Sequence, residues 1–328
     1  MEGKATYSRI RSTGSALPAR SVTNDELARE LAARGIETSD EWIRTRTGIR
    51  SRCLATEGET TLTLAEAAAR RALEAGGVLP AEIDLVIVAT TTPDQIFPAV
   101  AARLQAALGI PPCGAFDIQA VCSGFAYALS VADSMIRSGA VRRALVVGAD
   151  TLSRLIDWND RKTCVLFGDG AGAVVLEASD EPGILASDLV AEGARADILY
   201  APGRIEGGKL VGDGFLLMDG RAVFKEAVVS LEATARKVLE KADLAVSEID
   251  WYVPHQANLR IMTHVADRLG IPAEKLVATV ASHGNTCAAS VPLALDAAVR
   301  DGRVKRGDVV LLQGVGAGMT CGAVLLRF

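Results

Sequence analysis

The sequence predicts an α/β protein of helices layered on mixed sheets, and two observations carry that prediction. Short apolar runs alternate with longer stretches of helical periodicity along the whole chain, the pattern of strands covered by helices. The second half also repeats the first. Ala81-Glu82-Ile83-Asp84-Leu85-Val86 returns as Ser247-Glu248-Ile249-Asp250-Trp251-Tyr252, each time after a helical stretch (Leu64 to Ala75; Val223 to Ala242). Leu108-Gly109-Ile110-Pro111 returns 161 residues on as Leu269-Gly270-Ile271-Pro272, and Ser138-Gly139-Ala140-Val141 returns 163 residues on as Asp301-Gly302-Arg303-Val304. An offset near half the chain implies two similar halves, 1–180 and 181–328, with a boundary near Ser179 to Gly183. No Pro/Ser-rich linker or low-complexity stretch lies there, so the halves are expected to form one compact body.

In order, the first half offers the helical stretch Leu64 to Ala75, the strand-like Gly114 to Ile118, a helix over Phe125 to Arg137, and strands at Ala144 to Gly148 and Ala173 to Leu176. The second offers a helix over Val223 to Ala242, a strand at Ile249 to Val253, helices over Leu259 to Leu269 and Ala288 to Val299, and a strand at Val309 to Leu312. The glycine-rich Gly168 to Gly172 and Gly314 to Gly318 fit neither G-x-G-x-x-G nor a P-loop, and the first leads into a strand rather than a helix. They read as tight turns that let backbone approach a substrate.

The 328 residues are 49% hydrophobic and 23% charged, an ordinary globular composition able to bury a large core. A net charge of −5 without a Lys/Arg cluster excludes broad nucleic-acid binding, so an acidic partner must dock on a local basic patch. Met1 to Ala5 shows no signal-peptide core, and no run approaches the roughly 18 apolar residues of a membrane span, so a cytoplasmic protein is expected. The six cysteines lack metal-type C-x-x-C spacing; five read as small buried hydrophobes, and no metal site is expected.

The sixth, Cys122, sits where Gly114 to Ile118 gives way to a helix. A helix N-terminus offers partial positive charge and free N–H groups, which favour the thiolate. Pro254-His255-Gln256-Ala257-Asn258 and His283-Gly284-Asn285-Thr286 each follow another apolar run, and a cysteine with His and Asn elsewhere in the chain is a candidate acyl-transfer site. Buried inert cysteines, satisfied histidines and an Asn that caps the following helix are the ordinary readings of these residues singly. His264 is expected to face solvent and His283 to brace the Gly284-Asn285 turn.

With those segments, Thr38-Ser39-Asp40-Glu41-Trp42-Ile43, Arg46-Thr47-Gly48-Ile49-Arg50, Phe167 to Gly172 and His283 to Pro292, the chain resembles the beta-ketoacyl-acyl carrier protein synthase III family nearly end to end. The resemblance implies a thiolase fold, two α/β halves in a five-layered α-β-α-β-α body. It implies an acyltransferase that decarboxylatively condenses an acyl-CoA primer, acetyl-CoA foremost, with malonyl-acyl carrier protein to start fatty acid biosynthesis. In that reading Cys122 carries the acyl group, His255 and Asn285 hold the malonyl thioester carbonyl, and the N–H groups of Cys122 and Ala317 form the oxyanion hole. Coenzyme A is a substrate and no cofactor is implied.

The same resemblance places adenine between Trp42 and Arg161 and phosphates at Arg46, and it lines the pantetheine tunnel with Gly220, Phe224 and Asn258. Arg221, Lys225 and Arg260 become the basic lip for the carrier protein, although surface ion pairing is their ordinary use. Phe97 is implied to cross the two-fold axis of a homodimer and floor the partner's acyl pocket. Met319 and Cys321 stand where the family commonly has aromatics, which puts the primer in question. A pathway-dedicated relative using another primer, or transferring acyl groups without decarboxylation, is the alternative; intact His255 and Asn285 favour decarboxylation. A silent, non-catalytic subunit is disfavoured by Cys122.

Overall fold

The computed structural model describes residues 7–328. Met1 to Ala5, where no signal peptide is expected, lie outside the described residues. Nine strands build the two large sheets: β1 (Tyr7–Ala16), β2 (Leu85–Ala89), β3 (Gly114–Ile118), β4 (Arg143–Asp150), β5 (Gly170–Ser179), β6 (Ile184–Ala191), β7 (Trp251–Pro254), β8 (Val309–Gly316) and β9 (Thr320–Arg327). The first sheet runs β1-β5-β4-β2-β3 and the second β6-β9-β8-β7. In each, the two strands nearest the start of that order pair antiparallel with their inner neighbours, while β2 pairs parallel with β4 and β7 parallel with β8. Even β3 has a vestigial counterpart, a single parallel bridge from Leu276 to Tyr252 beside β7.

Seven helices carry or cover the site: α1 (Asp40–Thr47), α2 (Thr61–Gly76), α3 (Val100–Ala107), α4 (Gly124–Arg137), α5 (Gly220–Ala242), α6 (Leu259–Leu269) and α7 (Ser290–Arg300). Strand alternation shows the layering. Leu85, Ile87 and Ala89 of β2 point into one cluster with α4 and α7, while Val86 and Val88 point out toward α2 and α3. On β8, Val310 and Leu312 join the same central cluster, and Val309 and Leu311 face α5 and α6. The result is a five-layered α-β-α-β-α body with α4 and α7 in the middle. Each fully buried Leu or Ile of these layers contributes about 1.5–3 kcal/mol of transfer free energy.

The expected helices and strands are present, with shifted ends. Helix α5 starts at Gly220 because Asp219 caps it, accepting from the N–H groups of Arg221 and Ala222. Helix α7 starts at Ser290, after a 3₁₀ turn over Cys287–Ala289, rather than at Ala288.

The glycine-rich stretches are not the tight turns that composition suggested. Gly170 and Gly172 lie within β5, Gly314 and Gly316 within β8, and of these stretches only Gly318 has a left-handed φ, +74°. Their function is close approach: a Cβ on Gly172 would come 2.7 Å from the N atom of Leu293, and one on Gly148 2.3 Å from the Ala288 carbonyl oxygen. Glycine lets α7 settle onto the first sheet. Among the described residues no helix is long and apolar enough to cross a membrane.

Candidate active site

Cys122 occupies a 3₁₀ turn, Val121–Ser123, that runs directly into α4. Val121 takes a left-handed φ of +47°, turning the chain sharply from β3 toward the helix. Ser123 pins the turn by donating to the Ala120 carbonyl (2.7 Å), and its hydroxyl lies 2.8 Å from Thr320 Oγ1. Strand β8 presses on it from behind: a Cβ on Gly316 would sit 2.7 Å from the Cys122 N atom. A side chain there would push the nucleophile out of place.

His255 follows the last residue of β7, and its backbone N–H donates to the Gln313 carbonyl at 2.7 Å. Its ring Nδ1 lies 2.5 Å from Ser290 Oγ, and that oxygen also accepts from the Gln256 N–H at 3.3 Å. The serine hydroxyl thus holds both the ring and the Gln256 backbone, and Nε2 lies on the side of the ring away from Ser290. Gln256 fixes the neighbouring loop, donating to Pro254 and Val277 carbonyls while its Oε1 accepts from the N–H groups of Thr279 and Val280.

Helix α7 begins without a side-chain cap, so Asn285 is not the helix cap that its sequence context offered. Its Oδ1 accepts from the Cys287 N–H at 2.9 Å, a cap for the 3₁₀ turn before α7, which leaves the Nδ2 amide to donate toward the cavity that Asn285 lines. The turn around it is held by backbone, Asn285 N–H to the Leu166 carbonyl and Gly168 N–H to the Asn285 carbonyl, each 2.9 Å. His283 does not supply the brace: its ring Nδ1 is buried without a hydrogen-bond partner. His264 is exposed on α6, as expected.

Cys122, His255 and Asn285 line one cavity, whose walls are otherwise mainly apolar. The structure adds a fourth group that sequence reasoning set aside as a buried hydrophobe. Cys287 Sγ lies 3.5 Å from Cys122 Sγ, both side chains nearly or wholly buried. The Cys287 thiol donating to the Cys122 sulfur, and then the charge of His255, hold Cys122 well below the usual thiol range even though burial alone would raise it. Cys287 is pushed far up by burial and by the neighbouring Cys122 and Asp150. Asp150 is itself pushed up to about 6 by burial, against donors that include the Thr91 and Ala288 N–H groups. Cys113 also departs from the expectation, being only half-buried.

The outer positions gather at the cavity mouth. Gly220, Phe224 and Asn258 line it. Asn258 caps α6 through the Arg260 N–H and reaches back to the Arg46 carbonyl at 3.1 Å. The Trp42 ring lies between two guanidinium groups, Arg46 at 4.6 Å and Arg161 at 4.5 Å from its centroid. Arg161 therefore rests on the indole itself. Arg221, Lys225 and Arg260 are exposed along the same rim, on the first turns of α5 and α6, and none pairs with an acidic side chain among the described residues. Met319 lines the cavity; Ala317, two residues before it, is half-buried and not on the wall. Cys321 does not line the cavity, its sulfur lying 3.3 Å from Thr234 Oγ1 farther along α5. Phe97 is 81% exposed on the segment between β2 and α3, beside Ile96 at 73%. Among the described residues no cluster of three or more His, Cys, Asp or Glu side chains is placed to hold a metal ion.

Comparison with known proteins agrees with this geometry. Models of the 3-oxoacyl-[acyl-carrier-protein] synthase III family match residues 116–193 and, for its C-terminal part, 239–328. A beta-ketoacyl-[acyl-carrier-protein] synthase III of Bordetella petrii is 60% identical over 322 residues, 98% of each chain. The 3-oxoacyl-[acyl-carrier-protein] synthase III of Aquifex aeolicus superposes with a TM-score of 0.92 at 46% identity, over 98% of this chain and 100% of that one. The priming beta-ketosynthase of the R1128 polyketide pathway also superposes at 0.92, with 41% identity over 100% and 98% of the two chains. With this identity over nearly the whole chain and this thiolase-type body, the chain belongs to the beta-ketoacyl-[acyl-carrier-protein] synthase III family of condensing acyltransferases.

Proposed function

We propose that the chain condenses an acyl-CoA primer, acetyl-CoA foremost, with malonyl-acyl carrier protein and so begins fatty acid synthesis. The observation that carries this is the meeting of Cys122, His255 and Asn285 on one mainly apolar cavity. The Cys122 thiolate attacks the primer thioester, and the oxyanion is held by the N–H groups of Cys122 and Ala317 until the coenzyme A thiolate leaves. His255 Nε2–H and Asn285 Nδ2 then donate to the malonyl thioester carbonyl. As the carboxylate departs as CO2, these donors hold the enolate, which attacks the acyl carbon and returns the thiolate to Cys122. The product is a 3-oxoacyl thioester on the carrier protein. Thiolate, ring, amide and backbone donors suffice for these steps, with coenzyme A arriving as part of a substrate.

In this reading Trp42 and Arg161 hold the adenine, Arg46 the phosphates, and Gly220, Phe224 and Asn258 the pantetheine arm. The unpaired Arg221, Lys225 and Arg260 meet the acidic carrier protein. Exposed Ile96 and Phe97, next to the uncovered edge strand β3, support a homodimer in which Phe97 enters the partner's acyl pocket. A cytoplasmic location suits substrates of that kind. The halves 1–180 and 181–328 would be its two structural units. The main test is intact-mass and peptide-mass analysis after incubation with acetyl-CoA: one acetyl group on Cys122 is expected. A label on Cys287 or Cys321 that persists in Cys122→Ser would overturn the assignment.

A further inference from the structure

Of the six cysteines, Cys122 and Cys287 alone place their sulfurs in contact, at 3.5 Å, among the described residues. We propose that these two form a peroxide-reactive thiol pair that closes a reversible disulfide and protects the nucleophile from irreversible oxidation. The geometry gives the two sulfurs different parts. Cys122 lies on the cavity wall, where a small hydroperoxide can reach it, whereas Cys287 lies behind it, wholly buried. A thiolate is the form that peroxide oxidises, and Cys122 is the cysteine held toward that form.

The steps balance without a further reagent. Cys122 thiolate attacks one oxygen of hydrogen peroxide, the O–O bond breaks, and hydroxide leaves, giving a Cys122 sulfenic acid. Cys287 then attacks that sulfur, the S–O bond breaks, and the oxygen departs as water with the proton that Cys287 gives up. Two thiols and one peroxide become a disulfide and two waters. A buried thiol is a poor attacker until it is deprotonated, and Asp150, whose Oδ2 accepts from the adjacent Ala288 N–H, is the carboxylate beside Cys287 that can take that proton.

The backbone at Cys287 is held on both sides, by Asn285 Oδ1 on its own N–H and by Asp150 Oδ2 on the Ala288 N–H at 3.0 Å. Side-chain rotation must therefore bring the sulfurs from contact to the bonded separation of about 2.05 Å. An acyl group on Cys122 occupies the sulfur that would oxidise, so the primed enzyme is shielded. The pair holds whatever primer Cys122 carries, and its test reads sulfur rather than turnover.

Protein free of acyl-CoA is treated with hydrogen peroxide, alkylated, and analysed by intact and peptide mass. Wild type is expected to lose about 2 Da, to yield a linked Cys122–Cys287 peptide, and to recover both free thiols with dithiothreitol. Under the same exposure Cys287→Ser is expected to gain about 32 Da on Cys122, a sulfinic acid that dithiothreitol does not reverse. Circular dichroism checks that this variant folds, and the wild-type linked peptide decides the matter without it. Oxidation of wild-type Cys122 to sulfinic acid as fast as in Cys287→Ser, or linkage of Cys122 to another cysteine, would overturn the proposal.

Discussion

Ser290 Oγ approaches His255 Nδ1 to 2.5 Å, so the first residue of α7 pins the ring that follows β7 and leaves Nε2 on its other side. Ser290 also accepts from the Gln256 N–H at 3.3 Å, which ties the loop after β7 to the same hydroxyl.

The first prediction rests on that orientation. His255→Ala and Asn285→Ala should retain acylation of Cys122 but lose decarboxylation of malonyl-acyl carrier protein by about 10²–10³-fold, the usual loss for one such donor. Ser290→Ala should show a milder version of the same split, since it frees the ring orientation without removing the ring. Transfer of labelled acetyl and release of CO2 are measured separately. Equal loss of both in His255→Ala or Asn285→Ala would remove these residues from the malonyl step.

The second concerns the sulfur contact. A thiol held below its ordinary range stays ionised as pH falls, so alkylation of Cys122 should be independent of pH near neutrality. It should decline only below the range of a free thiol, about 8.5. Cys287→Ala removes the donor that contributes most to this. The midpoint of the alkylation-rate profile should then rise by about one unit, as expected when one hydrogen bond to a charged group is lost. An unmoved midpoint would leave His255 and the helix N-terminus as the sources of the low value.

Third, Arg46→Ala and Arg161→Ala should raise KM for acyl-CoA by about 3- to 10-fold, in keeping with cation–π and phosphate contacts at an exposed site, and leave KM for malonyl-acyl carrier protein nearly unchanged. Charge reversal at Lys225 or Arg260 should do the opposite and weaken with added salt. Initial rates against each substrate settle both. Equal effects on the two substrates would assign these side chains to folding.

Much of this site was legible because the chemistry sits on main-chain junctions with strong local signals. The apolar run before Cys122 and the helical period after it placed this cysteine at the start of α4, and the run before His255 brought it to the end of β7, whereas the run before Asn285 is no strand and ends in a short helix, Val280–His283. What sequence did not reveal were contacts across the fold. Cys287 is 165 positions from Cys122 and Ser290 35 from His255, and nothing in local spacing links either pair. Asp150 carried no sequence signal, yet its Oδ2 accepts from the Ala288 N–H and anchors the Cys287–Ala288 turn. The glycine-rich stretches misled for the opposite reason: composition signals permissive backbone, but here the missing side chains make room for α7 and for the Cys122 turn.

The last prediction concerns the primer, where two substitutions that look alike in sequence separate in space. Met319 lines the cavity, so its flexible side chain sets the room left beside Cys122. Met319→Phe should lower the octanoyl- to acetyl-CoA turnover ratio several-fold, and Met319→Ala should raise it, the added space being a cavity extension rather than a void in the core. Cys321 is wholly buried against Thr234 of α5, on the same face of the second sheet as its register partner Val315 but outside the cavity lining. Cys321→Trp should therefore cost about 1–3 kcal/mol of stability through overpacking and leave the turnover ratio where it was. Thermal melts and turnover with acetyl-, butyryl- and octanoyl-CoA distinguish the two sites. A changed ratio in Cys321→Trp without loss of stability would mean that the cavity extends along α5 to this position.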